Sequence, residues 1–183
     1  MTKTRRSVLQ GLVALWLCAH VPGAQADPQP ARAELKLAYG ISEVKAGSMA
    51  VRIVRAQVGT SSASTFDTYT VYLMPSKTGE PWMHVTTSDP KGLGYNLRTY
   101  ESGDANTQAI AFYREGTRLH AVQANKVREE TDTAGPRTTP FNFKFFVFNE
   151  NEEIPMFDNE GTLQSRGSYV DGSEALQREF FRP

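Results

Sequence analysis

Short runs that alternate between apolar and polar residues, separated by turn-forming residues, recur along this 183-residue chain. Residues two apart on a β-strand share one face of the sheet, so alternation is typical of a strand with one buried face. Short strands separated by Gly, Pro, Asn and Ser clusters are typical of all-β folds. We therefore predict an antiparallel sandwich or barrel, with strands at 34–39, 49–58, 66–74, 82–87, 95–100, 107–115, 118–127 and 141–149.

Two of these runs assign side chains to particular faces. In 49–58, Val51, Ile53 and Arg55 fall on one side of the predicted strand. In 66–74, one face carries Tyr69, Val71 and Leu73, and the other face is richer in threonine. The turn Glu115-Gly116-Thr117 between two alternating runs predicts a hairpin.

The end of the chain has a different pattern, typical of a short helix. Asp171 precedes Gly172-Ser173-Glu174, and an aspartate at this position caps a helix that carries acids in its first turn. Leu176 and Phe180 are one helical turn apart. We expect a short C-terminal helix that docks these two side chains on a sheet.

The run at 141–149 carries five phenylalanines within eight residues. Phe141, Phe143 and Phe145 fall on one face, while Phe146 and Phe148 fall on the other. Burying one phenylalanine contributes roughly 1.5–3 kcal/mol, so all these rings need a cover. We expect Phe146 and Phe148 to be buried in one of two ways: by the C-terminal Leu176 and Phe180, or by a second copy of the chain in a homodimer.

The first 26 residues are typical of a cleaved secretory signal peptide. Cations precede an apolar run at 11–21, which is too short for a transmembrane helix, and Ala-Gln-Ala follows before Asp27. The pair Arg5-Arg6 fits the twin-arginine export route as well as the general route. We expect one periplasmic β-rich domain at 27–183. It lacks cysteine, because Cys18 lies in the signal peptide.

Composition argues against several classes of partner and chemistry. The chain has 20 Lys+Arg and 20 Asp+Glu, and no basic cluster of the kind that binds nucleic acid. Ser42 and Lys45 fit an S-x-x-K spacing without the partner motifs of such hydrolases. His84 and His120 belong to no metal-ligand or catalytic motif. We therefore expect no enzyme activity, no metal and no cofactor, and we rank a hydrolase that uses Ser42 and Lys45, or the two histidines, last.

Binding to a small molecule or a protein partner is the remaining class. The predicted binding residues are aromatic, histidine and acidic side chains near turns or on the late strand: Trp82, His84, Asp104, His120, Phe146 and Phe148. Trp82 follows the turn Gly79-Glu80-Pro81, where it would line the mouth of a ligand pocket.

Four segments together resemble the periplasmic carbapenem intrinsic-resistance proteins. They are FDTYTVYLM at 66–74, PWMHV at 81–85, the pair of alternating runs at 103–127, and FNFKFFVFN at 141–149 with a later EIP. The family pattern departs at Ala105-Asn106, where a cysteine is expected after Asp104. The resemblance implies a β-rich, dimeric periplasmic protein that protects the cell from a β-lactam without hydrolysing it.

The predicted function is therefore that of an exported, non-catalytic binding protein with a role in antibiotic resistance. The alternative is an inhibitor or immunity protein against a toxin that acts in the periplasm. In that hypothesis the late-strand aromatics and the acidic turn after them form the partner surface.

Overall fold

The computed structural model describes residues 32–60, 65–89, 92–94, 97–102, 105–127, 137–151 and 153–182. The predicted signal peptide and Asp104 lie outside these residues. Within the described ranges, no helix is long and apolar enough to cross a membrane.

Strands form most of the described structure. They are β1 (Ala33–Leu35), β2 (Gly40–Ala46), β3 (Met49–Gly59), β4 (Thr65–Leu73), β5 (Met83–His84), β6 (Thr87–Asp89), β7 (Gly92–Gly94), β8 (Leu97–Arg98), β9 (Tyr100–Ser102), β10 (Ala105–Glu115), β11 (Arg118–Lys126), β12 (Phe141–Asn149) and β13 (Met156–Gln164). The helix α1 (Gly172–Ala175) continues into a π-helical turn, Leu176–Phe180.

The strands form two sheets. Sheet A has the order β1-β10-β11-β12-β13-β6-β7, with β9 also paired to β10, and sheet B has the order β2-β3-β4-β5, with β8 paired to β4. All described pairs are antiparallel except the single bridge between β13 and β6. The two sheets pack face to face and do not close into a barrel, so the predicted sandwich is confirmed.

The predicted hairpin joins β10 to β11. Glu115 pairs with Arg118, which leaves Gly116 and Thr117 as a two-residue turn. Gly116 has a φ of 60°, a left-handed conformation that glycine adopts without steric cost. This turn sets the register of β10 and β11 in sheet A.

Several strands were not predicted from the sequence. β2 covers the S-x-x-K segment, which lies between the predicted strands 34–39 and 49–58. β6 and β7 pair with each other and follow the predicted strand 82–87, and β13 is a polar strand after the acidic turn. In β13 only Phe157 is fully buried, so its sequence shows little of the alternation that identifies a strand. Its pairing with the phenylalanine-rich β12 holds it in the sheet.

The larger core lies between the two sheets. Phe146 and Phe148 of β12 belong to it, with exposed fractions of 2% and 7%. Sheet B covers them with the inward side chains of β2, β3 and β4, namely Val44, Ala46, Val51, Ile53, Tyr69 and Val71. The two rings are therefore covered by the same chain, which was one of the two arrangements expected from the sequence. The cover is sheet B, and not the C-terminal Leu176 and Phe180.

A second core lies between the other face of sheet A and the C-terminal helix. Leu176 and Phe180 pack there with Phe141 and Phe143 and with small residues of β10 and β11. Asp171 caps the helix as predicted, because its Oδ1 accepts hydrogen bonds from the backbone N–H of Ser173 and Glu174. Sheet A is thus the middle of three layers, which explains why β12 is apolar on both faces.

We predict that Phe157→Ala will lower the free energy of unfolding by about 3–5 kcal/mol, because it empties a site at the centre of the larger core. Phe157 is fully buried and its ring lies 5.7 Å from that of Phe148. Urea unfolding measures the effect. Leu163→Ala, on the same strand but 57% exposed, is the control and should change stability by about 0.5 kcal/mol or less. Equal losses in the two variants would contradict this assignment of the core.

A candidate ligand-binding cavity between the sheets

A gap in the edge of sheet A opens into the space between the sheets. β1 pairs with β10 at Phe112–Arg114, and β9 pairs with β10 from Ala105 to Gln108. Neither strand covers the segment 109–111 of β10. A cavity of about 440 Å³ lies at this gap, within the size range typical of small-molecule sites.

A buried ion pair from sheet B forms one wall of the cavity. The Nε and Nη2 atoms of Arg55 donate to Oδ2 of Asp67 at 2.9 and 2.7 Å. Asp67 is 8% exposed. Burial lowers the pKa of Arg55, but the hydrogen bond to Asp67 and the neighbouring charges raise it by more, so the net shift is upward and the guanidinium stays charged.

The connection between β1 and β2 crosses the cavity mouth and is held by the same pair. Nη1 of Arg55 donates to the Leu37 carbonyl at 2.9 Å, and the hydroxyl of Tyr39 donates to Oδ1 of Asp67 at 3.1 Å. The Tyr39 ring lies over the guanidinium of Arg55, 4.3 Å from ring centroid to Cζ. The Tyr69 ring centroid lies 5.6 Å from the same Cζ atom, and burial raises the pKa of the Tyr69 phenol.

The opposite wall is formed by β9, β10 and the start of β4. Oε2 of Glu101 accepts a hydrogen bond from the Thr65 hydroxyl at 2.7 Å. The backbone N–H and Nδ2 of Asn106 both donate to Oδ2 of Asp171, the helix-capping residue. Burial alone would raise the pKa of Asp171, but the hydrogen bonds from Asn106, Glu174 and Ser173 lower it, so this carboxylate stays ionised.

This geometry suits binding better than proton transfer. The carboxylate of Asp67 accepts from Arg55 and Tyr39, and its backbone N–H donates to the Thr99 hydroxyl at 2.8 Å. A carboxylate with these fixed partners is a rigid element of the cavity wall. In the described part of the chain, no group of three or more metal-ligating side chains lies together.

Two of the predicted binding residues meet on the outer face of sheet B, apart from the cavity. Tyr72 lies between them, with ring centroids 5.7 Å from Trp82 and 5.5 Å from His84. The Arg52 guanidinium lies 4.5 Å from the Trp82 ring. Trp82 is 39% exposed, and it does not line the cavity.

His120 lies on sheet A beneath the C-terminal helix, so the two histidines do not converge. Its ring stacks on Tyr113 with centroids 4.9 Å apart. Neither ring nitrogen has a hydrogen-bond partner among the described residues, and Oε2 of Glu160 is 3.7 Å from Nδ1. Burial lowers the pKa of His120 by more than Glu115 and Glu160 raise it.

The remaining candidates lie elsewhere. Phe146 and Phe148 face the larger core, so they cannot form the exposed partner surface proposed for the late strand. Ser42 and Lys45 are three residues apart on β2 and therefore point to opposite faces, which removes the geometry of a nucleophile and its base.

Sequence analysis did not identify Arg55 and Asp67 as site residues, although the alternation pattern indicated them. Alternation placed Arg55 on the same face as Val51 and Ile53, and Asp67 is two residues before Tyr69 on the apolar face of β4. A cation and an anion on the buried faces of neighbouring strands indicate a buried pair. Asp67 and Tyr69 also lie within the FDTYTVYLM segment that carries part of the family resemblance.

The fold is similar to that of a solved structure, the crystal structure of CarG. The TM-score is 0.63 at 14% sequence identity, over 79% of this chain and 94% of that chain. At this level of identity the similarity shows a shared fold. No protein-family model matches the sequence, and no curated protein matches it.

We predict that Asp67→Asn will lower the free energy of unfolding by about 1–3 kcal/mol, because it leaves a partly buried Arg55 without its counter-ion. Thermal or urea unfolding followed by circular dichroism measures the change. Glu43→Gln is the matched control, because Glu43 is 61% exposed and its Oε2 is 3.9 Å from Nε of Arg52. That surface pair should contribute about 0.5 kcal/mol or less. A loss no larger than that of the control would show that the ion pair does not hold the cavity wall.

We also predict that stability falls as the pH falls below about 6.5, the ordinary pKa of histidine in an unfolded chain. The folded-state pKa of His120 is lowered, so the unfolded state binds the proton more readily, and the loss continues until the pH reaches that lower value. His120→Phe removes the titration and two unpaired polar atoms, so the slope of stability between pH 6.5 and 5 should flatten. His84→Gln is the control, because the pKa of His84 is lowered in the same direction at a less buried position. An unchanged slope in His120→Phe would show that protonation of His120 does not cause the loss of stability.

Proposed function

We propose that this protein is an exported, non-catalytic binding protein that protects the cell from a β-lactam without hydrolysing it. The observation that carries the proposal is the cavity between the sheets, with its preformed wall of Arg55, Asp67 and Tyr39. A preformed concave site with a few fixed polar groups is typical of small-molecule binding. The family resemblance of the four sequence segments and the fold shared with CarG support the role.

The side chains of the wall explain why binding, and not turnover, is proposed. Arg55 and Asp67 neutralise each other, and their hydrogen bonds are used to hold the crossing segment at Leu37 and Tyr39. A general base changes its own protonation state during the reaction, and a hydroxyl or thiol nucleophile needs such a base beside it. Here Arg55 and Asp67 are fixed partners of each other, so the ion pair keeps its charges while a ligand enters and leaves.

The proposal is tested by expressing the protein in a β-lactam-susceptible bacterium. Survival in a carbapenem should rise, while the antibiotic concentration in the medium stays that of the control culture. Gln57→Trp should abolish the protection, because Gln57 is exposed on β3 and lines the cavity. Ala56→Trp is the matched control, because Ala56 is the adjacent exposed residue and points to the outer face of the same strand.

Two results would contradict the proposal. Loss of antibiotic from the medium would show that the protein is an enzyme. Protection by Gln57→Trp equal to that of the unchanged protein would show that the cavity is not the site.

One observation favours the second candidate function, a protein inhibitor or immunity protein. Trp82 and Met83 are 39% and 50% exposed on the outer face of sheet B, beside Arg52 and Tyr72. Tryptophan, tyrosine and arginine are the residues most often found at the energetic centre of protein interfaces. In this hypothesis Trp82→Ala abolishes the neutralisation of a toxin encoded by a neighbouring gene, and Gln57→Trp leaves it intact.

A further inference from the structure

The charged groups around the cavity are not balanced. Its lining includes two cations, Lys36 and Arg55, and three anions, Glu34, Asp67 and Glu101. Arg55 pairs with Asp67, and the ammonium of Lys36 contacts the carboxylate of Glu34. Glu101 remains, and among the described residues it accepts a hydrogen bond from the neutral hydroxyl of Thr65. The lining therefore carries one negative charge without a described cation beside it.

Neither cation is well placed to receive an anionic ligand. The guanidinium of Arg55 donates to Asp67 and to the Leu37 carbonyl, and the rings of Tyr39 and Tyr69 lie over it. Lys36 is 79% exposed, so its charge is screened by solvent at the cavity mouth. A carboxylate that entered the cavity would meet Asp67 and Glu101 before it met an unpaired cation.

The hydrogen-bonding groups near Glu101 also favour a ligand that donates hydrogen bonds. Several donors of the lining are already used within the protein: the hydroxyls of Tyr39 and Thr65 donate to Asp67 and Glu101, and both N–H groups of Asn106 donate to Asp171. An ionised carboxylate has room for about four hydrogen bonds, and the one described partner of Glu101 supplies one. At Glu101 the cavity therefore offers acceptors, and a group bound there must supply donors.

We propose that this cavity binds a small organic cation, an amine whose ammonium group pairs with Glu101. An ammonium group supplies three donors and no acceptor, which complements a carboxylate that has open acceptor positions. The apolar part of the ligand contacts Phe66, Ile110 and Phe112, which also line the cavity. The inference rests on the cavity being the binding site proposed above, but it does not depend on β-lactam tolerance. For a β-lactam, it implies that the group held at Glu101 is an amine substituent and not the carboxylate.

Three probes of one size and different charge test the inference: benzylamine, benzyl alcohol and benzoate. Titration of the purified, ¹⁵N-labelled protein at pH 7, followed by amide chemical shifts, measures each dissociation constant. Benzylamine should bind with shifts at Asp67, Thr99 and Ile110. Benzoate should bind at least about tenfold more weakly, because it brings a like charge to Glu101. Affinity for benzylamine should fall as salt is added.

Glu101→Gln is the test variant, because glutamine keeps an oxygen to accept from Thr65 and removes only the charge. It should weaken benzylamine by about tenfold and leave benzyl alcohol unchanged. Glu43→Gln makes the same charge change on the outer part of β2 and should leave every affinity unchanged. Thermal unfolding of both variants verifies that they fold.

The outcomes separate this inference from the proposed function. Benzoate binding as tightly as benzylamine, or an unchanged benzylamine affinity in Glu101→Gln, would overturn the amine inference and leave the cavity as a site. No binding of any of the three probes would overturn the amine inference together with the cavity itself. Binding of benzylamine as described, without any protection against β-lactams, would support the inference and overturn the proposed role.

Discussion

The burial of both faces of sheet A is the constraint on which the rest of the structure depends. Phenylalanines of β12 alternate between two cores, so that Phe146 and Phe148 require sheet B on one side while Phe141 and Phe143 require the C-terminal helix on the other. Each large ring withdrawn from water contributes a few kcal/mol, which far exceeds what one surface ion pair contributes. The three-layer arrangement forms because burial of the rings contributes more to stability than surface ion pairs do. The other elements are positioned by these three layers.

The cavity is a consequence of how this layered structure ends. The short strands β1 and β9 share one edge of β10 but leave its segment 109–111 uncovered, so the space between the sheets is open there. Side chains of sheet B that would otherwise lie in an apolar core face this opening. Arg55 and Asp67 can occupy core-facing positions because they neutralise each other and hydrogen-bond to Leu37 and Tyr39. A site with fixed charges therefore arises at an end of the described sandwich where apolar packing stops.

Much of the fold was predictable from local pattern. The alternation of apolar residues located most of the strands, and β12 was predicted with the bounds that the structure has. The strands that escaped prediction are those whose burial is decided by a neighbour: β13 is polar, and it is a strand because β12 pairs with it. The candidate site was less predictable. Trp82 and His84 were chosen for their residue types and do meet at Tyr72, whereas His120 was chosen on the same grounds and lies in a separate core.

The sequence by itself determined most of the longer strands, which face of each is apolar, and where the C-terminal helix is capped, because these depend on residues a few positions apart. It also placed Arg55 and Asp67 on the apolar faces of their strands. Only the tertiary structure decided that these two side chains are partners, that sheet B covers Phe146 and Phe148, and that Glu101 and Thr65 meet in one wall of the cavity. Those contacts join residues far apart in the chain. Strand register and layer order select them, and no local pattern encodes either one.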